Sequence, residues 1–250
     1  MKGYVMKSTP PRHIHWLVAV MLCVLVAGCH RAQQQTDQAP GQSAANEDAA
    51  RQAAAAFDAA VARKNWHLAK AQADVLLANY PTTQAAERVR LQFDAIKAKA
   101  DAARESSRSA ALWNYNRQPV KGGTQVSASI FAKDKVDVDG SGTKPVQLIF
   151  RDHPSWGRSA YLVLQAGDFN CYRGCKVKVK LDDAAPKSMV GLRPKTDEAI
   201  AMFIEDERAL WRMTKGTKLV SIEFPIKTGG TRTAIFEVGG LDRSRMPGWD

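Results

Sequence analysis

Apolar and polar positions change rhythm three times along the chain. Trp16 to Ala27 is an unbroken apolar run, preceded by Lys2, Lys7 and Arg12 and followed by Gly28 and Cys29. As a helix this dozen residues would rise about 18 Å, too short for a hydrocarbon core of roughly 30 Å. From His30 to Asn46 the sequence is polar and aperiodic, which predicts a flexible tether over 29–46. Over 47–110 alanine dominates and apolar residues return at steps of three and four, the period of a helix. The first stripe is Ala53, Phe57, Ala60 and Val61, with a break at Lys64-Asn65. The second is Trp66, Ala69, Ala73, Leu76, Leu77 and Tyr80, stopped by Pro81. Thr82 or Thr83 then caps a third helix carrying Ala86, Val89, Phe93, Ile96, Ala100 and Ala103.

After Ser109 the period falls to two. Eight short alternating runs predict strands: Gln125–Phe131, Val146–Asp152, Ser159–Gln165, Lys176–Leu181, Ser188–Arg193, Ala199–Ile204, Leu219–Ile226 and Arg232–Val238. Lys227-Thr228-Gly229-Gly230 joins the last two as a hairpin. One helix interrupts the series, with Asp206 as N-cap, Arg212 and Lys215 in its last turn and Gly216 closing it. The fold class expected is therefore α+β. A three-helix segment (47–110) precedes an antiparallel β-sandwich or partly open barrel with one short helix (111–250).

Basic flank, short apolar run and small closing residues form a signal-peptide pattern over 1–28. Val26-Ala27-Gly28-Cys29 resembles a bacterial lipobox. That resemblance implies cleavage before Cys29 and acyl chains on its sulfur and amine, with plain secretion or a membrane-anchored helix as alternatives. His30, where Asp would mark retention in the inner membrane, implies delivery to the outer membrane, and a position facing the periplasm is expected there. Residues 50–81 resemble a single tetratricopeptide repeat, with Asn65-Trp66 at its turn, Ala69 at its close-packing position and Pro81 at its end; Leu76 departs from the pattern. One repeat is fewer than a solenoid needs to bury a continuous core, so a docking or spacer element is expected, with a peptide-binding groove as the alternative. From Tyr161 onward the chain resembles the β domain of type VI secretion accessory proteins and related periplasmic proteins. The residues carrying this are Leu164 and Cys171, Met202-Phe203-Ile204, and Ile235 to Leu241.

Composition changes the picture mainly through charge. The 36 Lys and Arg exceed 25 Asp and Glu by 11. Loss of residues 1–28 removes Lys2, Lys7 and Arg12 and leaves a net +8. Nucleic acid is not an expected partner, since no recognition motif accompanies the charge and the segment 1–28 directs the chain out of the cytoplasm. With Cys23 removed and Cys29 acylated, Cys171 and Cys175 remain. An even pair in an oxidising compartment reads as a disulfide. A redox or zinc role is the alternative, although the spacing is one residue longer than C-x-x-C and only three histidines remain, all distant.

The chemistry-bearing clusters each have an ordinary explanation. Asp137-Val138-Asp139-Gly140-Ser141 has the look of a calcium loop but holds Lys135 and Val146 where ligands belong, so a turn is expected. Asp152, His153 and Ser155 share one loop rather than converging from separate elements on an oxyanion hole. Glu205-Asp206-Glu207 suits a helix start. The most suggestive surface is Lys176, Lys178 and Lys180 on the outer side of one strand, led by Arg173. It reads either as a solvated or edge-protecting face or as a surface for an anionic partner such as lipid head groups, lipopolysaccharide or an acidic protein. No cofactor or metal is expected. The expected role is a non-enzymatic accessory or binding lipoprotein of an envelope assembly or secretion system. An immunity or inhibitor lipoprotein against a periplasm-acting toxin or hydrolase is the alternative, and an envelope hydrolase a third.

Overall fold

The computed structural model describes residues 40–194 and 200–250. The signal-peptide reading, Cys29 and most of the expected tether lie outside the described residues. Helix α1 (Pro40–Ala62) begins ahead of the expected boundary at 47, with proline in its first turn, where the missing N–H costs nothing. It buries Ala50, Ala54, Phe57 and Ala60. Lys64 turns the chain with positive φ, and Asn65 caps α2 (Trp66–Asn79) by accepting from the Leu68 N–H at 3.2 Å. Of the two candidate caps it is Thr83 that starts α3 (Gln84–Ala110), accepting from the Ala86 N–H at 3.3 Å. The three helices share one small core in which alanines close around Phe57, Leu76, Val89 and Ile96. Arg88 of α3 clasps Asp58 of α1 through two hydrogen bonds of 2.9 Å.

The remaining chain builds one antiparallel sheet of nine strands among the described residues, ordered β1-β2-β3-β4-β7-β6-β5-β8-β9. The strands are β1 (Trp113–Val120), β2 (Gly123–Phe131), β3 (Val146–His153), β4 (Gly157–Leu164), β5 (Cys175–Leu181), β6 (Lys187–Leu192), β7 (Ala201–Ile204), β8 (Leu219–Pro225) and β9 (Thr231–Glu237). Helix α4 (Glu207–Met213) precedes β8. Strand β1 was not expected. It pairs with β2 along its whole length, yet buries only Trp113, so the polar run Asn114 to Gln118 carries no alternation to read. Ala199, expected in a strand, lies outside the described residues, and β7 begins at Ala201.

Inward residues of β2–β9 meet in a single core, with Leu148, Phe150, Leu162, Val177, Val179, Met202, Ile222 and Phe236 almost wholly buried. A single sheet can share one core only by curling. The Lys133 N–H just beyond β2 donates to the Ile235 carbonyl of β9 at 2.7 Å, and Arg232 Nε donates to the Asp137 carbonyl at 2.6 Å. Of the two β arrangements expected, the sheet takes the curled, partly open one. One end is filled by Trp113, Phe150, Trp211 and Trp249, whose ring centroids stand 5.0–6.3 Å apart along successive pairs.

Candidate interaction surface

Strand β5 is hydrogen-bonded to β6 on one side and β8 on the other. Lysines on an interior strand guard no edge, so the edge-protecting reading of Lys176, Lys178 and Lys180 is corrected. Alternation does place them as expected: Val177 and Val179 are fully buried, Lys176 and Lys178 are exposed and Lys180 is half-buried. Lys178 Nζ lies 2.8 Å from Glu223 Oε1 of β8. Across β6, Lys176 stands opposite Val190 and Lys178 opposite Ser188.

Arg173 sits in the turn leading into β5, with φ of 109° and its guanidinium 6.0 Å from the Tyr172 ring. Cys171 and Cys175 are joined by a disulfide across this turn, their Cα atoms 4.8 Å apart. Gly174 has φ of 100° and donates its N–H to the Cys171 carbonyl at 3.1 Å. The turn is held from below as well. Arg193 makes a two-pronged ion pair with Asp168, both bonds 2.6 Å, and its own N–H reaches the Cys171 carbonyl. Cys171 is fully buried, with Sγ 3.2 Å from Met202 Sδ. A side chain at Gly191 would meet Val177, Met202 and Cys175 at 2.8–3.0 Å, so the strand beside the disulfide has no room for one.

The outer face of the sheet also carries a stacked row that the sequence did not reveal. Arg151 lies 5.4 Å from the Trp156 ring and 5.2 Å from Tyr161, and Tyr161 packs 5.0 Å from Phe203 on the neighbouring strand β7. His153 stacks on Trp156 at 4.0 Å. Burial pushes the Tyr161 hydroxyl above its ordinary range, and the nearby Arg151 charge opposes this only in part. Arg151, Tyr161 and Phe203 are half-buried, His153 is buried and Trp156 stands exposed in the turn between β3 and β4; the register of β3, β4 and β7 makes them a row.

The remaining clusters are occupied by local bonding. His153 Nδ1 accepts the Ser155 backbone N–H at 3.1 Å, and Asp152 faces Arg158 at 3.6 Å, so the loop forms no relay from carboxylate to imidazole to hydroxyl. Asp137 accepts the N–H groups of Asp139 and Gly140, and Asp139 takes both donors of Ser141, which holds the Asp139 carboxyl below its usual range. Asp206 caps α4 by accepting the Ala209 N–H at 3.0 Å. Among the described residues no group of three or more His, Cys, Asp or Glu is placed to hold a metal, and no helix is long and apolar enough to cross a membrane.

No family model matches the chain, and no curated protein matches it. Among solved structures, the invasion associated protein B from Bartonella henselae is similar over 52% of this chain and 85% of that one, at 13% identity and a TM-score of 0.34. A likeness this slight carries neither fold nor function.

Proposed function

We propose that the chain is a lipid-anchored envelope protein, held on the periplasmic side of a bacterial outer membrane by acyl chains on Cys29. Its role is non-enzymatic: an accessory or binding component of an envelope assembly or secretion system. One observation carries the reading, the twelve-residue apolar run that follows a basic flank and ends in Val26-Ala27-Gly28-Cys29. The disulfide of Cys171 and Cys175 suits an oxidising compartment. Two or more acyl chains, at about 0.8 kcal/mol per buried methylene, make such an anchor stable. Lys176, Lys178, Lys180 and Arg173 present positive charge for an anionic partner.

The test is Cys29→Ser. Wild-type protein is expected to take up labelled palmitate and to fractionate with outer membranes, while the variant does neither. A variant that still sediments with membranes, beside a wild type that takes up no lipid, overturns the anchor. Crosslinked complexes from detergent-solubilised membranes are expected to contain several structural components of one machine. Recovery of a single toxic hydrolase would instead favour the inhibitor role.

A further inference from the structure

Strand β6 is paired unevenly, and the consequence is a strand position in the middle of the sheet that no described residue fills. Toward β5 it is paired from Lys187 to Gly191. Toward β7 the ladder covers only Gly191 and Leu192, with one further bond from the Glu205 N–H to the Val190 carbonyl at 2.8 Å. Beyond Glu205 the chain leaves the sheet as α4. Backbone groups alternate sides along a strand. Val190 points toward β7, so Ser188, two residues earlier, points its N–H and C=O the same way, where no strand follows among the described residues. Between this edge and α4 lies an open groove of about 640 Å³. Its apolar lining is Met189, Val190, Ala209 and Met213.

We propose that this groove takes an extended polypeptide segment of a partner protein, added antiparallel to β6 as an extra strand. Strand addition obtains affinity from main-chain hydrogen bonds and selectivity from pockets at alternate side chains. Ser188 supplies the donor and acceptor pair, and Met189, Val190, Ala209 and Met213 supply the apolar pocket. Charge then sets the end residues of the occupant. Glu205 and Asp206 mark the end of the groove beside Val190. Lys187 lies three residues before Val190 on β6, at the other end, and Arg212 also lines the groove. An antiparallel strand enters at the acidic end and leaves at the basic one. The segment that fits therefore carries a basic residue at its N-terminal side, apolar residues at alternate central positions, and an acidic residue or free carboxylate at its C-terminal side. The inference stands on the groove and does not depend on the lipid anchor.

The test is an amide-resonance titration of the full-length chain in detergent. The probe is a heptapeptide of sequence Lys-Thr-Val-Thr-Val-Thr-Asp with a free carboxylate; the control exchanges Lys and Asp and is amidated. Saturable shifts are expected within Lys187–Val190 and Glu207–Met213, with the control at least tenfold weaker. Ser188→Pro removes the N–H aimed into the groove at a position that makes no ladder bond, so the fold and the Tm should hold while binding is lost. Lys187→Glu with Arg212→Glu should reverse the preference between the two peptides, which tests the proposal even if Ser188→Pro misfolds. Absence of shifts at millimolar peptide, shifts elsewhere, or equal binding by a folded Ser188→Pro variant would overturn it. So would concentration-dependent shifts of the peptide-free protein, which mean a second copy pairs there. Slow exchange of the Ser188 amide without peptide, which means the chain covers its own edge, would overturn it too.

Discussion

A Cβ placed on Gly240 would overlap the backbone of Ser109 and Ala110, where the end of α3 meets the short turn Val238–Gly240 after β9. Its neighbour Gly239 has ordinary contact distances, the nearest being Lys218 Cα at 3.5 Å. Gly240→Ala should therefore cost about 1–3 kcal/mol, the range for overpacking, in urea unfolding, while Gly239→Ala stays well below that. Equal effects would remove the close approach as the cause. A second single-residue effect is tied to pH. Hydrogen bonds from Arg243, and then from Trp211 Nε1 at 3.0 Å, hold the Asp250 carboxyl below its usual range. A carboxyl with a depressed folded pKa stabilises the fold above its unfolded value of about 4 and loses that contribution as pH falls further. The Tm difference between wild type and Asp250→Asn should thus be constant from pH 7 to 5 and shrink below pH 4. A difference that persists at pH 2 would assign the effect to packing instead.

Among the elements, those with a clean period were legible and those defined by a partner were not. The stripes of α2 and α3 and the inward residues of β5, β8 and β9 follow from spacing, because one buried face imposes its period on the sequence. The cap Asp206 was readable from its residue type, the cap of α3 only as Thr82 or Thr83, and Asn65 read as a turn residue rather than a cap. β1 was invisible because only one of its eight residues is buried; its pairing with β2 is almost entirely main-chain. The position of β5 inside the sheet was equally hidden, since strand order is a property of the whole chain. So was the row of Arg151, Trp156, Tyr161 and Phe203, which exists only in register. The cysteine turn was readable from composition, and it gives a prediction at this scale. Closing so short a loop removes little chain entropy, about 2 kcal/mol. The double variant Cys171→Ala with Cys175→Ala should lose roughly that much in denaturant and keep its strand signal. Two titratable thiols on the folded, unreduced wild type would contradict the bond itself.

At the scale of the whole molecule the described residues hold two hydrophobic cores that share no residue. The helical core is built largely of alanine around Phe57, Leu76, Val89 and Ile96, so it buries little apolar area per residue, whereas the β core contains Trp113, Phe150, Trp211, Trp249 and most of the large aliphatics. They meet at the end of α3, which packs against Val238–Gly240 and whose Arg108 pairs with Glu237 at 2.6 Å as well as with Glu105. Stability in such a chain is not uniform, and the smaller core should open first. Phe57→Ala removes the largest fully buried side chain from that core and should cost it about 3–5 kcal/mol. The expected outcome is a loss of helical far-ultraviolet signal at a lower temperature than in wild type. The near-ultraviolet signal of the tryptophan cluster should still melt at the wild-type temperature. If both signals fall together, the joint at Gly240 and Arg108 couples the cores into one cooperative unit. Gly240→Ala in the same background should then separate the two transitions.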